Sequence, residues 1–389
     1  MLQAYLKSLF EASPGAKFNK IFAEIRVFAG GYNRAMENHS WPSVLTELLD
    51  GGDLERSRAA WAMGQIMGGD ASEAQIGAFM IALRAKGETV DELAGLVDVM
   101  LQNALLLETG NDAVDIVGTG GDLVGTVNIS SMASILASAA GVPVLKHGSR
   151  SASGKTGSSE MLETLGIRLD LAPQQVTEAF RRVGITFFFA PVFHPAMRFV
   201  APIRKELGIP TTFNFLGPLA NPAQPIATAM GVSNAKIAPL MAQELAQRGR
   251  AGLVFRSRDG LDELSTTGKN DVWQVSGGKV SHLEFAPEAI GIPTVAVEKL
   301  LGGDAQHNAK VASDLFDGKE FENSEEIGQI VALNAAAGIA AYEMAKKPDL
   351  ADQDLNSRIA KAYERAQAAL ADGLAAKKLT EWSAASQGL

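Results

Sequence analysis

From about position 110 onward one pattern recurs: a short apolar run, a glycine-rich turn, then a stretch with helical spacing. The runs are Val114 to Val117, Val142 to Leu145, Ile185 to Phe189, Ile226 to Val232 and Leu253 to Phe255. Strand-length runs alternating with helices predict a mostly parallel sheet with crossover helices, because parallel neighbours cannot be joined by a tight turn. In such sheets ligands sit at the carboxyl ends of the strands, so chemistry is to be sought in the loops that follow each run.

The stretch ahead of this region reads differently. From Trp41 to about Leu107 the apolar residues keep helical spacing, with expected capping boxes at Asp70 with Glu73 and at Thr89 with Glu92 and a stop at Gly87. The stretch from Leu350 to Ser386 is alanine-rich and also helical in pattern. The fold class expected is therefore α/β, with a small all-helical N-terminal lobe over residues 41–110 packed on a larger α/β domain over residues 111–389. Residues 1–40 read as an extension. Its first 35 residues carry more Lys and Arg than Asp and Glu on an amphipathic background, with Met36 an alternative start.

Composition narrows the function. The 389 residues, 47% of them apolar, can bury a large core in one or two domains. No cysteine is present, which excludes thiolate nucleophiles and cysteine-bound metals. A net charge of -9 argues against a nucleic-acid partner, since phosphate-backbone binding draws on surplus Lys and Arg. No apolar run has the length of a membrane span and no secretory leader opens the chain, so no membrane is expected and the cytoplasm is the expected compartment.

Four clusters follow the apolar runs. In Gly118, Thr119, Gly120, Gly121 and Asp122, followed by Thr126, Asn128, Ser130 and Ser131, glycine amides and a helix N-terminus can converge on a phosphate, although a tight turn would use the same residues. In Lys146, His147, Gly148, Ser149 and Arg150, followed by Ser151 to Ser159, cations alternate with Gly and Ser, which favours a second phosphate loop. The third cluster joins His194, Arg198 and Arg204 to Asn214, Gly217, Pro218 and Asn221. The fourth places Asp262 and Glu263 in a loop where both carboxylates can reach a hard cation such as Mg2+.

In order and separation these clusters resemble the anthranilate phosphoribosyltransferase family. The matching runs are GTGGD at Gly118 to Asp122, TVNIS at Thr126 to Ser130, KHG at Lys146 to Gly148 and HPAMR at His194 to Arg198. FNFLGPLANP at Phe213 to Pro222 and GLDELSTTG at Gly260 to Gly268 follow, then GGDAQHNA at Gly302 to Ala309 and LNAAAG at Leu333 to Gly338. The resemblance implies a helical lobe completed by helices around 194–210, a homodimer formed through that lobe, and two Mg2+ ions per subunit. It assigns phosphoribosyl pyrophosphate to Gly118, Gly121, Asp122, Thr126, Asn128, Ser130, Ser131, Lys146 and Ser158. Anthranilate falls to Gly118, Ser149, His194 and Arg204, and metal to Ser130, Asp262 and Glu263.

The chain departs from the family pattern at Ser149, where Asn is usual, and at Leu123, Ser131 and Glu160, where Gly, Thr and Asp are common. Ser149 is shorter and lacks the amide, which leaves open a transferase for another aromatic acid. A nucleoside phosphorylase and a non-catalytic relative are the other readings. The acidic pair favours a diphosphate leaving group over inorganic phosphate. No general base is named for the transfer, and Gly120, Gly121 and Gly154 are candidate points for a closing motion.

Overall fold

The structure, a computed structural model, describes residues 39–107, 109–150 and 156–389. The N-terminal extension up to position 38, and Ser151, Ser153, Gly154 and Lys155 of the second loop, lie outside the described residues.

Four helices open the described chain: α1 (Trp41–Leu49), α2 (Arg56–Gly68), α3 (Glu73–Lys86) and α4 (Val90–Gln102). The box at Thr89 and Glu92 forms as expected. The one expected at Asp70 and Glu73 forms two residues later. Ser72 caps α3, its hydroxyl accepting from Gln75 N–H while the Gln75 side chain accepts from Ser72 N–H at 2.8 Å. Asp70 belongs to the end of the preceding helix, where Gly69 turns left-handed at φ 78° and the Asp70 amide is bonded to Gln65 O. Within the lobe, the buried Glu92 carboxylate accepts from Leu54 N–H and pairs with Lys86 at 2.9 Å, tying two helix ends to the loop before α2.

The α/β region then runs β1 (Val114–Gly118), α5 (Ile129–Ala139), β2 (Val144–Gly148), α6 (Ser158–Thr164), α7 (Pro173–Val183), β3 (Ile185–Phe189), α8 (Ala190–Phe193) and α9 (Ala201–Leu207). It continues with β4 (Ala227–Gly231), α10 (Ala238–Gln247), β5 (Ala251–Ser257), β6 (Asn270–Ser276) and β7 (Lys279–Phe285). The chain ends with α11 (Ala305–Phe316), α12 (Ser324–Lys346), α13 (Leu355–Ala371) and α14 (Leu374–Gln387). The sheet order is β3-β2-β1-β4-β5-β6-β7. Strands β1 to β5 are parallel, while β6 and β7 form an antiparallel hairpin on one edge.

This order has a switch point. The chain steps outward from β1 to β3, then returns to lay β4 against the other side of β1. The loops after β1 and β4 leave in opposite directions, and a crevice opens between them. Strand β2 starts two residues later than its apolar run suggests, because Val142 N–H is still bonded to the tail of α5 and Pro143 has none to offer. The delay carries Lys146 and His147 into the strand and buries both.

One large core cluster lies between the sheet and α12, and a second joins the sheet to α10 and the helical lobe. Helix α12 is the one described helix long and apolar enough to cross a membrane, and 78% of its apolar window is buried inside the protein, against α5 and strands β1, β4 and β5. Gly338 permits the contact, since a Cβ there would come within 2.4 Å of the Ile116 side chain. Helix α9 packs on α3, and a 3-10 turn at Pro195–Phe199 packs on α2, so the segment after β3 returns to the helical lobe.

Candidate active site

One cavity of about 850 Å3 opens at the switch point, and all four clusters line it. Its floor depends on glycines at strand ends. A Cβ on Gly118, the last residue of β1, would lie 2.5 Å from the Asp262 carboxylate, and one on Gly231, the last residue of β4, would lie 1.5 Å from the Asp262 carbonyl oxygen. Only with hydrogen at both positions can the loop after β5 cross the two strand ends and bring its carboxylates to the first glycine loop. The Gly120 amide then donates to Asp262.

The acidic group is larger than the sequence pair. Asp262 and Glu263 are buried, and Asp122 from the first loop shares a hydrogen bond with Asp262. Burial, and then the Asp122 charge, push Asp262 up to about 8; burial and the Asp262 charge push Glu263 well above the usual carboxylate range. No set of three or more acidic or histidine ligands stands ready-made for a metal among the described residues. A donor set of two carboxylates and a hydroxyl is what Mg2+ takes when substrate phosphates complete its shell, and a cation would relieve the mutual repulsion here. The residues fit.

Lys146 is buried beneath the same loops. Its Nζ donates to Ile116 O at 2.6 Å and to Ser130 Oγ at 3.3 Å. Burial lowers its pKa to about 8, against the raising influence of Asp115 and Glu263. Lys146 therefore fixes the end of β1 and the first turn of α5 besides bordering the cavity. Asn128 at the head of α5 accepts from Asn308 Nδ2 at 2.8 Å and donates to Thr156 O, while Asn308 Oδ1 accepts from Gly303 N–H. Ser158 Oγ donates to Ser149 O at 3.2 Å. Ser131 is buried at the cavity lining with its hydroxyl unbonded among the described residues, and Thr126 lines the same wall.

Another wall comes from residues 190–204 and 213–218. His147 Nδ1–H donates to Gly217 O and His194 Nε2–H to Ala220 O, each at 3.0 Å, and the two rings lie 5.1 Å apart. Burial holds both imidazoles neutral, with His147 lowered to about 3 and His194 to about 4. Both histidines also line the cavity, as do Ser149, Arg204, Phe213, Asn214, Gly217 and Pro218. Burial lowers the Arg204 pKa, and its guanidinium has no hydrogen-bond or ion-pair partner among the described residues.

Every sequence-predicted site residue thus borders one cavity. Several residues that hold the site were not singled out from the sequence. Gly231 is one. Asn334 of α12 is another: its amide accepts from Leu264 N–H and donates to Leu264 O, clamping the acidic loop. Asp115 is a third, its carboxylate accepting from Asn221 Nδ2 at 2.8 Å under the wall. The available signal was a polar residue inside an apolar run, as with Asn334 in α12 and Asp115 in β1, since a buried polar group requires a partner.

Comparison with known proteins agrees with this architecture. The helical bundle domain of the glycosyl transferase family matches residues 42–104 and its a/b domain residues 110–376. An anthranilate phosphoribosyltransferase of Leifsonia xyli subsp. xyli is 50% identical over 351 residues, 90% of this chain and 99% of that protein. One from Streptomyces griseus subsp. griseus is 48% identical over 347 residues, 89% of this chain and 95% of that protein. Among solved structures, anthranilate phosphoribosyltransferase from Thermus thermophilus superposes with a TM-score of 0.78 at 37% identity, covering 88% of this chain and 99% of that one. The Saccharomyces cerevisiae enzyme in complex with PRPP and Mg has the same fold, with a TM-score of 0.78 at 24% identity over 90% of this chain and 98% of that one. By sequence and by architecture, the chain belongs to the anthranilate phosphoribosyltransferase family of glycosyl transferases.

Proposed function

We propose that this cavity transfers the phosphoribosyl group of 5-phospho-α-D-ribose 1-diphosphate to the amine of anthranilate, giving N-(5-phosphoribosyl)anthranilate and diphosphate in tryptophan biosynthesis. The observation that carries the reading is a single cavity lined both by a glycine loop with a buried acidic group and by the Arg204 guanidinium, which is unpaired among the described residues. The donor takes Gly118, Gly121, Asp122, Thr126, Asn128, Ser130, Ser131, Lys146 and Ser158. Anthranilate takes Gly118, Ser149, His194 and Arg204, with the guanidinium pairing its carboxylate.

Ser130, Asp262 and Glu263 would hold Mg2+, two ions per subunit. When bound, the metal neutralises charge on the diphosphate as it leaves. Lys146 and the loop amides add fixed positive potential to the same place. Arg204 and the wall hold the aromatic amine against C1, where positioning supplies more than proton removal, because the amine already carries a free lone pair. Neutral His147 and His194, each donating to a wall carbonyl, orient the acceptor side, and no residue is assigned as general base.

Residues 41–110 act as the helical lobe and residues 111–389 as the domain that binds phosphoribosyl pyrophosphate. The enzyme works as a homodimer through the helical lobe, where Leu49 and Ile81 stand exposed, and resides in the cytoplasm. The test is loss of anthranilate fluorescence on mixing protein, donor, Mg2+ and anthranilate. Signal loss that requires both substrates and the metal, and that disappears in Asp262→Ala and Glu263→Ala, supports the reading. Absence of turnover with donor binding intact moves the acceptor to another aromatic acid.

A further inference from the structure

Thr212 and Glu88 are 124 residues apart in sequence and meet in the interior. The Thr212 hydroxyl donates to Glu88 Oε1 at 2.6 Å, and both residues are buried, Thr212 completely. Glu88 stands in the turn between α3 and α4 of the helical lobe, with Arg84 at 3.5 Å from its other oxygen. Thr212 starts the short 3-10 turn Thr212–Asn214, from which Phe213 and Asn214 reach the cavity lining. A hydroxyl bonded to a buried carboxylate is a charge-assisted contact, stronger and more directional than a neutral one.

The contact orients a donor. Thr211 N–H donates to Asn214 Oδ1 at 3.0 Å, which fixes the amide plane and leaves the Asn214 Nδ2 hydrogens without a partner among the described residues. The far end of the same segment is held by Asn221 on Asp115 and Leu145 O, both at 2.8 Å. Between those ends the segment carries Gly217 and Pro218; Thr212 supplies its hydrogen bond to the helical lobe, beside the apolar packing of Phe213 and Phe215 and the Arg84 guanidinium 5.8 Å from the Phe215 ring centre.

We infer that Glu88, acting through Thr212, is a positioning residue of the helical lobe that sets the acceptor wall, and that the Asn214 amide it aligns contributes a hydrogen bond to the aromatic acid. This rests on the transferase reading above. Neither Glu88 nor Thr212 touches substrate, so their removal acts on the acceptor and leaves the donor site in place.

The test compares the wild-type chain with Thr212→Val, which keeps shape and loses the hydroxyl, and Thr212→Ser, which keeps the hydroxyl. Steady-state KM for each substrate is measured beside amide hydrogen exchange of residues 211–221. The expected result is an anthranilate KM raised about tenfold in the Val variant, with the donor KM within about twofold, near recovery in the Ser variant, and faster exchange confined to the segment. Equal rises in both KM values, a Ser variant no better than Val, or unchanged exchange overturns the inference. A wild-type chain inert toward anthranilate removes anthranilate as the acceptor instead, and exchange in the segment then decides on its own whether the clamp exists.

Discussion

Asp262 places a carboxylate where burial and Asp122 oppose its charge, which is favourable only when a cation is present. Asp262→Asn keeps the shape and removes the charge. Turnover is expected to fall by at least about a hundredfold, while the metal-free variant melts no lower than wild type and loses the rise in Tm that Mg2+ gives. A scanning-fluorimetry series with and without EDTA checks this, and a Tm rise with Mg2+ equal to that of wild type would remove Asp262 from the metal site. The two buried histidines make a pH prediction. Their folded pKa values, about 3 and about 4, lie below the unfolded value near 6.5, so unfolding takes up protons in that window. Their contribution is complete above about pH 6.5 and is lost as pH falls toward 4. Asp115, raised to about 6 by burial, works in the opposite direction between about 3.8 and 6. His147→Asn retains a donor for Gly217 O without an ionisable ring. Its Tm is expected to decline less steeply than wild type between pH 6.5 and 4.5, measured by calorimetry.

At the scale of elements, the site depends on close approach. Gly231→Ala inserts a methyl against the Asp262 carbonyl at the end of β4, and the acidic loop must move as a unit. Activity is expected to fall at least about a hundredfold with Mg2+ affinity weakened in parallel, because a displacement of about 1 Å already costs that much. Wild-type titration curves for the variant would show the crossing to be looser than described. Asn334→Leu leaves Leu264 N–H and C=O unpaired in the interior and is expected to lower the denaturation free energy by roughly 2 to 4 kcal/mol, measured in urea. The parallel strands and the glycine loops were legible in sequence because each strand is a short buried apolar run with punctuation after it. The hairpin of β6 and β7 was not, although Gly277 and Gly278 mark its turn with φ of 57° and 74°. Its strands are half exposed and mix Trp273 and Val275 with Asp271 and Gln274, so no apolar run announces them.

For the whole molecule, the cavity belongs to neither part of the chain alone. Glycine loops and the acidic loop come from the sheet; the opposing wall is tied to the helical lobe through Thr212. Sequence placed the residues in one site by motif order, yet could not foresee which were buried supports. Lys146 and His147 read as loop residues and are strand residues under it. At this scale the dimer is also tested. Leu49→Glu with Ile81→Glu is expected to convert a dimer of about twice 41.0 kDa into monomers in analytical ultracentrifugation. A wild-type monomer would remove the dimer from the proposal.

The contrast between strand-end glycines and a side-chain-held wall has an evolutionary consequence. Around Gly118 and Gly231 nearly every substitution collides with the acidic loop, which leaves no room for drift. Residues 213–218 have no such backbone crossing against them: a Cβ on Gly217 would meet nothing within 4 Å, and Asn214 is only half-buried, so substitutions at the cavity face change shape locally. A library randomised at Phe213, Asn214 and Pro218 should therefore yield enzymes with new aromatic amine preferences that all still consume the same sugar donor. One half of the cavity is frozen by its backbone, and the other is free to diversify.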